Sequence, residues 1–180
     1  MSSGSVDVDS AGAADEPSGE RSQGTSALLI YTIALAIVLI DQATKLAAIR
    51  WLYPVGSVKV LGPYLSFTWA TNTGGAFGVL SSSTGLLAAV AIVVSAVLIV
   101  VALRVATSRM LSVAVAMVLG GAFGNLIDRL RLGYVVDFID VHFWPVFNIA
   151  DITITAGAGL IILGMLLGHT RLPGTREDID

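Results

Sequence analysis

Met110–Ile127 reads MLSVAVAMVLGGAFGNLI, eighteen residues without one formal charge. As a helix rising about 1.5 Å per residue it would cover about 27 Å, close to the ~30 Å hydrocarbon core of a bilayer. Three further windows behave similarly: Ala27–Ile49, Leu86–Leu103 and Ile149–Leu167. Between residues 27 and 170 there are twelve formal charges, whereas a soluble surface of that size has about a quarter of its residues charged. With 55% hydrophobic residues and a mean hydropathy of +0.84, a water-soluble enzyme is excluded. The expected fold is an all-α membrane protein of four transmembrane helices with a small β-rich subdomain outside the membrane.

The polar ends divide the chain. Residues 1–26 are Ser, Gly, Ala, Asp and Glu with almost nothing large and apolar, a composition that cannot bury enough surface to offset the entropy of ordering, and are expected to form a disordered tail. This segment lacks the basic start of a signal peptide, so no cleaved leader is expected. Residues 27–170 form the membrane domain, and residues 171–180 a second short tail. The tails hold eight of the thirteen acids, so the net charge of −3 gives no case for nucleic-acid binding. The chain has no cysteine, which excludes disulfides, thiolate chemistry and lipid attachment through cysteine to this chain itself.

Four spans place both termini on one side and two longer segments, 50–85 and 128–148, on the other. Lys and Arg divide five against five between the sides. The bias favours cytoplasmic termini only if Lys45 and Arg129 are set aside as functional. In the first outer segment a Gly62-Pro63 turn is followed by alternation, with Leu65, Phe67 and Trp69 on one face of a strand and Tyr64, Ser66 and Thr68 on the other, a pattern that suits the membrane interface. Gly120 and Gly124 are four apart in the third span, as are Thr153 and Gly157 in the fourth. This spacing permits close helix approach and points to these two spans as the packed interior.

All five acids of the membrane domain are aspartates: Asp41, Asp128, Asp137, Asp140 and Asp151. With the spans as drawn they fall on the same side. An ionisable side chain at membrane depth needs a partner, a proton or a task. Asp41 with Lys45, Asn125 with Asp128, and Asn148 with Asp151 stack by helical spacing. Asp41–Lys45 can be a simple intrahelical ion pair, Asp128–Arg129 a helix-end anchor, and Asn148 an N-cap. On the short strand Tyr134–Ile139, Asp137 and Asp140 point opposite ways, and periodicity does not decide which faces a site. No Glu lies between Glu20 and Glu177 and no GxSxG occurs, so zinc-peptidase and serine-elbow chemistry have no residues to use. Of two histidines, His169 lies on the wrong side and His142 reads as an interfacial loop residue. Paired carboxylates remain: two close aspartates share a proton and act together as acid and base.

The runs Asp41-Gln42-Ala43-Thr44-Lys45, Asn72-Thr73-Gly74-Gly75-Ala76-Phe77, Gly120 through Arg129, Val136-Asp137-Phe138 and Phe147-Asn148-Ile149-Ala150-Asp151 resemble the five motifs of the bacterial lipoprotein signal peptidases, or signal peptidase II, in order over residues 30–168. Gly75, where the family usually has alanine, departs slightly. The resemblance implies an aspartyl endopeptidase of the bacterial cytoplasmic membrane that removes signal peptides just before a diacylglyceryl-modified cysteine, and implies Asp137 and Asp151 as the catalytic pair. It further implies that Asn72, Gly121, Asn125, Asp128, Arg129 and Asn148 bind substrate or position the pair, that Asp41 and Lys45 support the site, and that no metal or organic cofactor takes part. Prolipoproteins and membrane lipid are the implied partners, globomycin the implied inhibitor, and a monomer with its site near the outer membrane face the implied state. The rival reading is a proton-coupled transporter using the aspartates as a relay, which predicts repeated halves and broken helices. A structural subunit, in which the polar groups only join helices, is the other. Neither an internal repeat nor a midplane cluster is visible in the sequence.

Overall fold

The computed structural model describes residues 18–73 and 109–167. Helix α1 (Ser18–Trp51) leads into strands β1 (Ser57–Leu61) and β2 (Leu65–Asn72); then follow α2 (Arg109–Leu132), β3 (Val135–Asp140) and α3 (Ile149–Leu166). Three described helices, Ala27–Trp51 of α1, α2 and α3, are long and apolar enough to cross a membrane. The expected span at Leu86–Leu103, the Gly74-Gly75-Ala76-Phe77 end of the second motif and the tail at 171–180 lie outside the described residues. Two boundaries differ from expectation. Helix α1 starts at Ser18, within the stretch read as a polar tail. Helix α2 runs to Leu132, past the expected end of the span at Ile127, so Asp128 and Arg129 stand inside its last turns.

Helix α2 is the centre of the bundle, and small residues let its neighbours approach. A Cβ on Gly120 would sit 2.8 Å from the Ala34 carbonyl oxygen of α1, and one on Gly124 would overlap the Asp41 carboxylate. On the other flank a Cβ on Gly121 would meet the Ala150 carbonyl and Thr153 Oγ1 of α3, each at 2.5 Å, and one on Gly157 of α3 would lie 2.7 Å from the Ala114 carbonyl. Two adjacent glycines thus serve two helices, and Ile30, Leu111, Val115, Ala116 and Leu119 pack beyond them. The expectation that the last two spans both form the interior is corrected in part: α2 is largely buried, whereas α3 buries only Ala150, Gly157 and Gly164. Small residues, with half-buried Ile154 and Ile161 beside them, dock α3 against α2, while Ile152, Ile162, Leu163, Met165 and Leu166 stay exposed.

One prediction follows from this packing. Gly121→Ala must push backbone aside and is expected to cost at least ~1–3 kcal/mol, visible as a lowered midpoint of thermal unfolding in detergent. Gly159→Ala has nothing within 4 Å and is expected to be neutral or slightly stabilising. Equal effects would contradict the packing.

The strands form one antiparallel sheet in the order β1-β2-β3. The β1–β2 connection carries Gly62 at φ +48°, a left-handed conformation glycine adopts at little cost. Tyr53 packs edge-on to Trp69 at 5.4 Å, while Ala48, Leu52, Val136 and Phe138 join the end of α1 to β3. The expected apolar face is only partly realised: Phe67 is 38% exposed and Ser66 1%. Beyond Phe67 the strand carries a bulge: Phe67 pairs with Ile139 but Ala70 pairs with Asp137, leaving β2 one residue longer than its partner there. A bulge re-aims the side chains beyond it.

Candidate active site

That bulge decides how the two aspartates of β3 are used. Asp137 and Asp140 are three apart and face opposite ways in a regular strand, yet their partners Ala70 and Ser66 are four apart, which would put both on one face. The extra residue resolves the mismatch and turns Asn72 toward Asp137, whose Oδ2 accepts from Asn72 Nδ2 at 3.1 Å. Asp140 accepts instead from Thr68 Oγ1 at 3.1 Å and from the backbone N–H of His142 at 2.8 Å.

Asn148 joins Asp137 to Asp151. As N-cap of α3 its Oδ1 accepts from the Asp151 N–H at 3.0 Å, and Asp151 Oδ2 accepts from the Asn148 N–H at 3.2 Å, a reciprocal capping box. Its Nδ2 donates to Asp137 Oδ1 at 2.7 Å and to Asn125 Oδ1 at 3.1 Å. Asn125 Nδ2 donates to Asp151 Oδ1 at 2.9 Å. The cap expected from the sequence is present, and the same side chain holds a carboxylate from a different element.

Behind this layer lies Lys45, 2% exposed. Its Nζ donates to Asn125 Oδ1 at 2.8 Å and lies 3.0 Å from both Asp41 Oδ2 and Asp128 Oδ2. Asp41 Oδ1 accepts from the Ala150 N–H at 3.0 Å and Asp128 Oδ2 from the Val136 N–H at 3.0 Å. The Asp41–Lys45 pair is therefore more than an intrahelical contact: it ties α1 to α2, β3 and the first turn of α3. Asp128 is likewise not a helix-end anchor, because it bonds inward. Arg129 Nη1 donates to the Asn125 carbonyl at 3.3 Å. Gln42, the second residue of the Asp41–Lys45 run and not among the expected site residues, donates to Asp128 Oδ1 at 3.0 Å and to the Gly124 carbonyl at 3.1 Å and accepts from Arg131. Its signal was available: a polar residue beside Asp41 in an apolar helix. Gly121 makes room for the first turn of α3 that carries Asp151.

Burial, and then the charge of Asp151, push the Asp137 carboxyl up to about 7; the bonds from Asn72 and Asn148 and the charge of Lys45 oppose the rise. Asp151 is less buried. It lines a groove of about 530 Å³ whose walls include Phe143, Trp144, Phe147, Ile152 and Ala156. A smaller, apolar pocket of about 200 Å³ between Trp51, Leu52, Phe67 and Phe138 does not reach the aspartates. Among the described residues no three His, Cys, Asp or Glu converge as metal ligands. The arrangement offers one buried carboxyl that holds a proton near neutral pH, a second open to a groove, and amides fixing both.

Residues 33–167 match the family model described as signal peptidase (SPase) II. The chain is 46% identical over 140 residues to the lipoprotein signal peptidase of Caldanaerobacter subterraneus subsp. tengcongensis, covering 77% of this chain and 95% of that protein. It is 46% identical over 143 residues to the lipoprotein signal peptidase of Pseudomonas putida, covering 74% and 84%. The fold matches a bacterial membrane enzyme solved in meso at 2.3 Å resolution, with a TM-score of 0.72, 33% identity and coverage of 87% of this chain and 94% of that one. Family model, relatives and fold agree, and the chain belongs to the signal peptidase II family.

Proposed function

We propose that this membrane peptidase removes signal peptides from prolipoproteins immediately before a diacylglyceryl-modified cysteine, with Asp137 and Asp151 as its catalytic pair. The observation that carries the assignment is the double role of Asn148, whose side chain holds the Asp137 carboxylate and caps the turn that presents Asp151. Asp137, buried and raised to about 7, keeps the shared proton. Asp151, facing the groove, takes a proton from water as the water oxygen attacks the scissile carbonyl carbon. Asp137 donates to the carbonyl oxygen to give a gem-diol; as the C–N bond breaks, the proton held by Asp151 passes to the departing amine nitrogen and one diol O–H returns a proton to Asp137, leaving a carboxyl terminus and restoring the pair. Asn72, Asn125 and Arg129 cannot exchange protons near neutral pH and act by orienting the pair and the peptide. The apolar groove at Asp151 is the approach for the lipidated end of the substrate.

The residues 86–103 supply a fourth span in this reading. The termini are cytoplasmic and the site lies near the outer face of the bacterial cytoplasmic membrane. There lipid-anchored substrate arrives through the bilayer while water arrives from outside, and the enzyme works as a monomer.

The test is a pair of peptides, one with a diacylglyceryl cysteine and its unmodified twin, given to the purified protein in detergent or lipid. Each methylene buried contributes about 0.8 kcal/mol, so the lipidated peptide is expected to be cut at least ~100-fold more efficiently. Equal turnover of the twins would mark a general protease.

A further inference from the structure

His142 is the one described residue other than glycine with a left-handed backbone, at φ +65°. A side chain with a Cβ holds that conformation only when its surroundings enforce it. Asp140 does so: its Oδ1 accepts from the His142 N–H at 2.8 Å and lies 3.4 Å from ring Nδ1. The other ring nitrogen, Nε2, is 3.2 Å from Ser66 Oγ, and Asp140 Oδ2 accepts from Thr68 Oγ1, itself 2.8 Å from Ser57 Oγ. The chain of bonds runs through all three strands. Ser66, His142 and Asp140 stand in the order of a hydrolytic triad, but Ser66 is 1% exposed, and a sealed hydroxyl cannot attack a substrate. The group is built to hold something.

What it holds follows directly in the chain. Phe143 and Trp144, exposed by 86% and 60%, stand on one wall of the groove that ends at Asp151. The far end of their loop is tied to β3, with the Phe147 N–H donating to the Ile139 carbonyl at 3.0 Å and the Phe147 carbonyl accepting from Ile139 at 2.8 Å. The near end is tied by Asp140 and His142. Rings with so little packing of their own take their position from these two anchors.

We propose that Asp140, His142 and Ser66 form a latch that fixes the turn at His142 and thereby the aromatic wall of the groove, setting affinity for lipidated substrate without entering the chemistry. The substrate half of this inference rests on the function proposed above. All three are positioning residues.

The test uses the full-length protein with the diacylglyceryl-modified peptide, comparing wild type with His142→Ala and His142→Asn. Loss of an anchoring hydrogen-bonded group is expected to raise KM about tenfold in His142→Ala with kcat changed by less than about twofold. Asparagine tolerates the left-handed turn and carries an amide, so His142→Asn should recover part of the loss. Amide hydrogen exchange should accelerate over residues 141–147 in His142→Ala and stay unchanged in α2. An unchanged KM, or kcat falling with exchange faster throughout the protein, would overturn the latch. If wild type leaves the lipidated peptide intact, the functional reading fails and exchange alone decides the latch: faster exchange confined to 141–147 supports it, and unchanged exchange overturns it.

Discussion

Asp137→Asn and Asp151→Asn are each expected to lower kcat by at least ~10⁴-fold while the protein still folds and still binds lipidated peptide, and the double variant is expected to be scarcely slower than either single one. The reason is that neither carboxyl can be base toward water and acid toward the carbonyl at once. Asparagine at either position preserves shape and a hydrogen-bonding oxygen but cannot carry the proton. Binding should survive because the groove walls and Arg129 are untouched. The pH profile follows from the same pair. Burial and the charge of Asp151 raise Asp137 to about 7, and in the proposed mechanism the working form carries one proton between the two carboxyls. Raising the pH through that value removes the proton needed by the carbonyl, so activity falls on the alkaline side. On the acid side the pair takes up a second proton and the base is lost. A bell is expected, its two apparent values belonging to the pair, with the alkaline limb near 7. Additive losses in the double variant would mean that the carboxyls act in separate steps.

Lys45→Met should cost stability more than any single change on the protein surface. Met keeps the length of the side chain but removes the cation between Asp41 and Asp128, both within 3.0 Å of it and nearly inaccessible to water. Removing one partner of a buried ion pair typically costs about 3–5 kcal/mol. Here the cation also holds Asn125, so the platform under Asp151 loosens as well. The expected result is a large drop in the midpoint of thermal unfolding in detergent, partly restored by adding Asp41→Asn, which removes one of the stranded carboxylates. A midpoint within a degree or two of wild type would show that the cluster contributes little to the fold.

The three described spans were legible in the sequence because length and apolarity suffice for a membrane helix, and the Asn148 cap was legible because Asn-x-x-Asp is a local pattern. Periodicity did not choose between Asp137 and Asp140, a choice left to the family resemblance, and which of the two meets Asn148 was not legible. It depends on an extra residue in β2 between Phe67 and Ala70, and nothing in the alternation of residues 64–69 announces a bulge, which is a property of two paired strands. Asp41–Lys45 could be read as a local pair, but Asp128, Gly124 and Ala150 reach it across helix contacts that no spacing along one helix encodes. The Ser66–His142 contact spans 76 residues, and His142, met as a lone histidine in a loop, gave no sign of its partner. Local signals were sufficient for elements and caps, while the site was assembled by contacts between elements.

The most direct measurement is single-turnover cleavage of one diacylglyceryl-modified peptide by Asp137→Asn and Asp140→Asn side by side, both first shown to be folded. Asp140 faces Thr68 and His142 and has no bond to the Asn148 network. The Asp140→Asn enzyme should therefore cut at a saturating rate within about twofold of wild type, and the Asp137→Asn enzyme should leave the peptide whole. A peptide cut by Asp137→Asn and spared by Asp140→Asn would place the chemistry on the other face of β3 and contradict the catalytic pair.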